Sequence, residues 1–243
     1  MIKIEALYTE VCNLYGDAFN VEFLRQSLPE AEIFYTSLSQ TPRFVREDMD
    51  FIYMGAVPES EQEYIIQTLM PYTGRIRQLI AHGKVFLMTG NAFEVFGTYI
   101  ETDSGEKIEA LGIYDGFAVR RMMKRYNSLF YGSFTDERAQ QREVVGFKSQ
   151  FTHTYVDNTQ GYVFSTIRGC GINPQSKLEG IRINNFFGTY LIGPLLVMNP
   201  YFTKYLLRLA GVEEPALAFE QVAIDAYNDR LRDFRDPKRL FES

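Results

Sequence analysis

The stretch FLMTGNAFEVFG, residues 86–97, has the layout of a strand that ends in a sharp turn and opens a helix. Many enzymes carry a nucleophile at the centre of such a turn, because the tight backbone exposes the side chain there. In this chain the centre is Gly90, which has no side chain to react. The sequence therefore predicts either an enzyme that works through other residues or an enzyme scaffold without its original chemistry.

Strand and helix patterns alternate through the first hundred residues. Apolar runs predict strands at 2–8, 32–38, 51–54 and 84–88. Helical composition predicts helices at 21–28 and 60–82, and Asp17 and Asn20 are expected to cap the first of them. This alternation is typical of an α/β fold, a mostly parallel sheet with helices on both faces.

The second half of the sequence has a different pattern. Strand-like runs at 114–122, 128–134, 142–147 and 162–167 are separated by turn residues, which predicts an antiparallel extension or a β-rich second layer. A further strand at 186–196 runs into a Gly-Pro turn, and helices are predicted at 201–210 and 215–234, with Pro215 in the first turn. We expect one domain over 1–205 and a C-terminal helical extension of that domain over 206–243.

Composition limits the classes of function. Hydrophobic residues make up 46% of the 243, enough for a packed core, and the formal charge of -6 argues against nucleic acid or an anionic membrane as the main partner. The acidic start and the Gly and Pro residues within 186–202 predict a cytoplasmic protein without membrane insertion. Two distant cysteines and two histidines give no metal-binding pattern, so no metal or cofactor is expected.

Four stretches, taken in order, resemble a known family. They are NLYGDAFN (13–20), FLMTGNAFEVFG (86–97) followed by EALGIYDG (109–116), VVGFKSQFTHTY (144–155), and LEGIRINNFFGTYLIGPLLVMNP (178–200). They are similar to class I glutamine amidotransferases of the cobyric acid synthase type, and most similar to the amidotransferase subunits of isoglutaminyl synthases. The resemblance covers about residues 1–205 and implies a flavodoxin-like sheet.

The resemblance also implies a mechanism whose two central residues are substituted here. In that family a cysteine at the turn attacks the side-chain amide of glutamine, and a histidine in a segment like G-T-Y-L-H-G-P handles the proton. The matching positions in this chain are Gly90 and Ile192. Neither glycine nor isoleucine can attack an amide or accept a proton, so both positions are predicted to be vestigial.

Six further positions are expected to line the remnant of the family's cleft. Gly55 and Ala56 stand where the family has a glycine-rich loop that helps to form the oxyanion hole, and Pro58 in this loop supplies no N–H donor. The other four follow from the alignment of the turn and of the segment resembling G-F-E-N-H-G-G-R-T: Asn91, Glu94, Gln150 and His153.

A few other side chains are candidates to replace the substituted nucleophile and base. Thr89 adjoins the turn, and Cys12, Cys170 and His153 supply thiols and an imidazole, although a structural role is the simpler reading of each. Glu59 and Glu94 would place two carboxylates near the cleft as an acid and base pair. His82 is expected at a helix C-terminus that Gly83 ends.

The sequence favours a catalytically defective glutamine amidotransferase-like protein that acts as a subunit or binding scaffold. The partner that the resemblance implies is a Mur-ligase-like, ATP-dependent synthetase. One alternative is an active amidotransferase or glutaminase with relocated catalytic residues. Another is a small-molecule binding module, in which the two lost side chains leave extra room lined by Gly55, Gly90, Asn91 and Ile192.

Overall fold

A computed structural model describes residues 1–241, in which helices and strands alternate along the first ninety residues. The strands are β1 (Lys3–Leu7), β2 (Glu32–Thr36), β3 (Phe51–Met54), β4 (Val85–Thr89), β5 (Tyr99–Glu101), β6 (Lys107–Glu109), β7 (Gly116–Arg120), β8 (Tyr126–Thr135), β9 (Gln141–Gln150), β10 (Thr152–Val156), β11 (Phe164–Arg168), β12 (Leu178–Glu179), β13 (Ile181–Ile183) and β14 (Phe186–Thr189). The helices are α1 (Phe19–Ser27), α2 (Glu59–Leu69), α3 (Thr73–Ala81), α4 (Leu195–Met198), α5 (Pro200–Leu209) and α6 (Glu220–Arg235).

The main sheet confirms the predicted α/β fold. Its six strands have the order β13-β14-β4-β3-β1-β2, and all neighbours pair in parallel except β13 with β14. Successive side chains of β3 point to opposite faces: Ile52 packs in the core with α2 and α3, and Tyr53 packs in the core with α1 and α5. Both faces are therefore covered by helices, as expected.

The β-rich second half is also confirmed, and it forms two smaller sheets. One is antiparallel with the order β12-β11-β8-β9, and one end of its long β8–β9 hairpin borders the pocket beside Gly90. The other has the order β10-β7-β5-β6 and is mixed, since β5 runs parallel to β7. The short strands β5, β6, β10, β12 and β13 were missed by the pattern analysis.

Two predicted helices differ from the structure. The helix expected over 60–82 is divided into α2 and α3 by a 3-10 turn at Met70–Tyr72, because Pro71 lacks the N–H that an unbroken helix needs. The last helix begins at Glu220 rather than near Pro215. Phe219 precedes it with a φ of 51°, outside the helical region, so Pro215 does not lie in the first turn.

The longest helix, α6, has 16 residues and charged side chains along its length. Within residues 1–241 no helix combines the length and the apolar character needed to cross a bilayer.

Candidate functional site

The sharp turn predicted after β4 has a left-handed backbone at its centre. Gly90 has a φ of 60°, a region that glycine occupies at little cost. The turn opens a helix, as the sequence predicts, and this helix, Gly90–Phe96, is of the 3-10 type. The sharp strand-to-helix turn therefore persists without a side chain at its centre.

The two substituted positions lie against each other. A Cβ atom added at Gly90 would stand 2.5 Å from the Cβ of Ala56 and 3.2 Å from Cγ2 of Ile192. Real Cβ atoms essentially never approach another atom to less than 3.0 Å. Ala56 and Ile192 thus fill the space in which a cysteine side chain would begin, and the structure brings together the two positions that the sequence aligned with the nucleophile and the base.

What remains of the cleft is small. Its volume is about 50 Å³, and its walls include Ala56, Gly90, Asn91, Gln150 and Ile192. Gly55, Glu94 and His153, which were also expected to line it, do not. The extra room expected from the loss of two side chains is not found, because Ala56 and Ile192 close over the turn. A volume of this size holds a few water molecules and not a glutamine.

Backbone donors that would serve an oxyanion hole already have partners. The Ala56 N–H donates to Oδ2 of Asp17 at 3.1 Å, and the Val57 N–H donates to Oδ1 of Asn91 at 2.9 Å. The Asn91 amide donates in return to the Val57 carbonyl at 2.7 Å. The Asn91 side chain therefore binds the loop on which an oxyanion site would depend, and both N–H groups are directed into the protein.

Asp17 is a buried acceptor and not the helix cap that was expected. Besides Ala56 it accepts a hydrogen bond from the Thr89 hydroxyl and one from the Gly193 N–H at 3.4 Å. The N-cap residue of α1 is Ala18, so the helix has no side-chain cap, and the Ala18 N–H donates to Oδ1 of Asn13 at 2.8 Å. The Thr89 side chain is fully buried and does not line the cleft, so it is not placed to attack a substrate there.

Asn20 also turns inward instead of capping α1. Its amide donates to the Asp17 carbonyl and to the Tyr53 hydroxyl, and its Oδ1 accepts the Leu196 N–H at 2.8 Å. These bonds join the first loop to the chain after Ile192. Asp17 and Asn20 are small polar residues close to the start of an apolar helix, a pattern that fits a helix cap as well as it fits these buried hydrogen bonds.

Glu94 lies fully buried under the turn, away from the cleft. Its carboxylate accepts hydrogen bonds from the Gln62 amide at 2.9 Å and from the Tyr190 hydroxyl at 2.8 Å. Burial raises its pKa to about 7, although these two bonds act in the opposite direction. Of the two carboxylates considered as an acid and base pair, Glu59 alone lines the cleft, so the pair does not face one substrate site.

The raised pKa of Glu94 predicts a pH dependence of stability. A carboxyl with a higher pKa in the folded protein binds more protons when folded, so it makes stability fall as pH rises from 4.5 to about 7. The size of this contribution is roughly 3 kcal/mol. Glu94→Gln should remove it, which would raise stability at pH 7.5 relative to the wild type and leave it nearly unchanged at pH 4.5.

Urea unfolding at a series of pH values measures this effect as a difference between the two proteins. Glu63→Gln, which removes an exposed carboxylate from the same helix as Gln62, is the control and should follow the wild-type curve. Parallel curves for Glu94→Gln and the wild type would show that Glu94 does not titrate in this range.

The thiols and imidazoles considered as replacements are dispersed. Cys12 is fully buried, and burial raises the pKa of its thiol far above the ordinary value. Cys170 and His153 do not line the cleft; His153 lies behind Gln150, with Nδ1 3.2 Å from the Gln150 amide nitrogen. His82 ends α3 beside Gly83, whose φ is 74°, as predicted.

A buried ion pair was missed by the sequence analysis. The Lys148 ammonium donates to a carboxylate oxygen of Glu179 and to the carbonyls of Cys170 and Gly171, and the other Glu179 oxygen accepts the Tyr190 N–H at 2.8 Å.

Among residues 1–241, no three His, Cys, Asp or Glu side chains form a group able to hold a metal ion.

Known proteins resemble this chain over nearly its whole length. A CobB/CobQ-like glutamine amidotransferase domain matches residues 3–199. The lipid II isoglutaminyl synthase (glutamine-hydrolyzing) subunit GatD of Staphylococcus aureus (strain N315) is 29% identical over 227 residues, which cover 92% of this chain and 90% of the relative. The subunit of the same name from Streptococcus pneumoniae (strain ATCC BAA-255 / R6) is 25% identical over 233 residues, covering 95% and 87%.

Solved structures agree on the fold. PurLQS from Thermotoga maritima superposes with a TM-score of 0.53 at 10% identity, covering 95% of this chain and 99% of that one. A glutamine amidotransferase from the same organism gives 0.52 at 11% identity, with 95% and 97% covered. At these identities the superpositions show the fold alone. The domain match over residues 3–199 identifies this chain as a member of the CobB/CobQ-like glutamine amidotransferase family.

Proposed function

We propose that this protein is a family member that does not hydrolyse glutamine and that acts as the docking subunit of a synthetase. The observation that carries the proposal is the filled space at the turn, where Ala56 and Ile192 occupy the position of a nucleophile. The chain then contributes a folded surface to its partner instead of a chemical step.

Amide hydrolysis by this family's route needs a thiolate, a base and donors for the oxyanion. Gly90 and Ile192 stand at the first two positions, and the Ala56 and Val57 N–H groups are bound by Asp17 and Asn91. Loss of either catalytic group alone typically lowers the rate by several orders of magnitude. The combination of three changes at one site favours a lost activity over a modified one.

Relocated catalytic residues are the alternative, and the surroundings of the candidates argue against it. A reactive cysteine needs a depressed pKa and access to substrate, whereas burial raises the pKa of Cys12. His153 does not line the cleft, and its Nδ1 lies 3.2 Å from the amide nitrogen of Gln150. Thr89 is fully buried and does not line the cleft.

The proposed partner follows from the relatives, which are named as subunits of a lipid II isoglutaminyl synthase. We infer that this chain also pairs with a Mur-ligase-like subunit that uses ATP, which would place both proteins in the cytoplasm. A subunit without glutaminase activity can still stabilise such an enzyme. The synthetase would then take free ammonia as its nitrogen source.

Purification of the tagged protein from its native source tests this proposal. A synthetase should co-purify in a constant ratio, and the complex should form amide from ATP and ammonium chloride but not from ATP and glutamine. Recovery of the chain alone at native concentration would contradict the docking role. Amide formation from glutamine would contradict the loss of hydrolysis, so the two parts of the proposal fail separately.

A further inference from the structure

A second concave site lies far from the turn and shares no residue with the cleft. This groove has a volume of about 520 Å³ and is bounded by residues 133–135 of β8, the loop 160–163, Arg182 of β13 and the side of α5. We call it the Arg182 groove. The two sites lie toward opposite ends of β8: Arg125, just before this strand, borders the cleft, and Ser133, near its end, borders the groove. An extended strand of this length separates the two residues by about 25 Å.

Arg182 is held at the groove by aromatic rings. It pairs across the sheet with Phe187, and its guanidinium carbon lies 5.1 Å from the centre of that ring and 5.7 Å from the Tyr205 ring. Its Nε donates to the Asn184 carbonyl at 3.1 Å. Contacts with ring faces orient a guanidinium without neutralising its charge. Its outer N–H groups therefore remain directed to donate to a carboxylate.

The charge of Arg182 is not compensated within the groove. Of the described residues that line it, Arg182 alone is charged, and it takes part in none of the ion pairs found within residues 1–241. Two acids, Asp136 and Glu137, act electrostatically on Tyr205 at the groove, and they are paired with Arg142 and Arg208. A groove with a single positive charge in otherwise neutral walls favours a ligand with a single negative charge.

The neutral walls indicate the rest of the ligand. Gln141 and Gln160 offer amides, Ser165 offers a hydroxyl, and Tyr162 is 39% exposed and offers both a ring and a hydroxyl. Such groups bind hydroxyl and amide groups of a ligand, and a cavity of this volume suits a molecule of sugar or dipeptide size. One guanidinium matches a carboxylate, which it binds with two parallel hydrogen bonds.

The rim of the groove is fixed before any ligand binds. The Gly161 carbonyl accepts the Arg182 N–H at 2.8 Å, and the Asn158 amide donates to the Gly180 carbonyl at 2.8 Å. A Cβ at Gly161 would stand 2.4 Å from the Arg182 carbonyl oxygen, so glycine permits this close approach. A pre-formed site binds without the cost of ordering a loop.

We propose that the Arg182 groove binds a small organic monocarboxylate that carries hydroxyl or amide groups. This site is independent of the cleft and of its lost chemistry, and it holds the ligand by a bidentate contact to Arg182 with neutral contacts around it.

Isothermal titration with two matched pairs of probes tests the proposal. D-glucuronate is compared with D-glucose, and hippurate with hippuramide, so that within each pair the carboxylate is the main difference. At least one acid should bind the wild type at least about tenfold more tightly than its neutral counterpart. Arg182→Gln should weaken the binding of that acid by at least about tenfold. Arg182→Lys keeps the charge without the planar guanidinium, so its affinity should lie between those of the wild type and Arg182→Gln.

Arg232→Gln, on the exposed side of α6, is the control and should bind like the wild type. Equal binding of an acid and its neutral counterpart would overturn the proposal. So would unchanged binding by a folded Arg182→Gln variant, or the absence of binding by either acid up to about 20 mM, a concentration that still detects weak sites.

Discussion

Lys148→Met is expected to lower the free energy of unfolding by about 3–5 kcal/mol, because it leaves the Glu179 carboxylate buried without its counter-charge. The side chains of Lys148 and Glu179 are 1% and 0% exposed, so water cannot replace the lost ammonium. Lys148 also holds the carbonyls of Cys170 and Gly171, which fix the loop after β11. The substitution therefore breaks a connection between β9, β12 and this loop.

Urea unfolding followed by circular dichroism measures the effect. Lys204→Met is the matched control, since the Lys204 and Glu220 side chains are 23% and 34% exposed and such a pair contributes about 0–1 kcal/mol. The double variant Lys148→Met with Glu179→Leu should recover much of the loss, because no charge then remains buried. A loss for Lys148→Met as small as that for Lys204→Met would contradict the buried pair.

Gly90→Ala is expected to cost about 3 kcal/mol of unfolding free energy. About 1–2 kcal/mol comes from placing a Cβ at a φ of 60°, and about 1–3 from the collision with Ala56. A protein in which the turn still had room for a nucleophile would show the first contribution alone. The thermal midpoint, measured together with urea unfolding, reports the total.

Gly105→Ala separates the two contributions. Gly105 has a φ of 84°, and a Cβ there would meet nothing within 4 Å, so this control carries the backbone cost alone. Adding Ala56→Gly to Gly90→Ala removes the 2.5 Å contact and should restore more than half of the collision cost. Equal losses for Gly90→Ala and Gly105→Ala would mean that Ala56 and Ile192 do not fill the turn.

The fold was predictable because its signals are local. Apolar runs and helical periodicity located β1 to β4, and the order of four short motifs predicted the sheet that carries Gly90. The break at Pro71 and the late start of α6 were missed, since helical composition continues through both segments. The edge strands β12 and β13 are two and three residues long, too short to show a period.

The candidate site was predictable only in part. Alignment placed Gly90 beside Ile192, but it could not show that Ala56 fills the space between them or that Asn91 binds the Val57 backbone. Asp17 was expected to be a cap because an aspartate just before a helix is typical of an N-cap. The same residue in the same place can also be a buried acceptor, as it is here. Lys148 lies in a strand, and its ion-pair partner Glu179 is 31 residues further along the chain. A contact between residues so far apart cannot be predicted from their spacing in one sequence.

The buried hydrogen bonds under the turn join the segments around Gly90 to one another. Asp17 joins Ala56, Thr89 and Gly193, and Asn91 joins the loop after β3 to the turn after β4. An active site of this kind would direct donors toward a substrate. Here the Ala56 and Val57 N–H groups donate to Asp17 and Asn91 instead, which supports the proposal that this chain does not hydrolyse glutamine.

Release of ¹⁵N-ammonia from amide-labelled glutamine tests the central claim most directly. The purified protein, alone and with its co-purified synthetase and ATP, should release no more than buffer does. Release that depends on the protein and that is abolished by Cys170→Ala or His153→Ala would contradict the claim and would show that catalysis has moved to other residues.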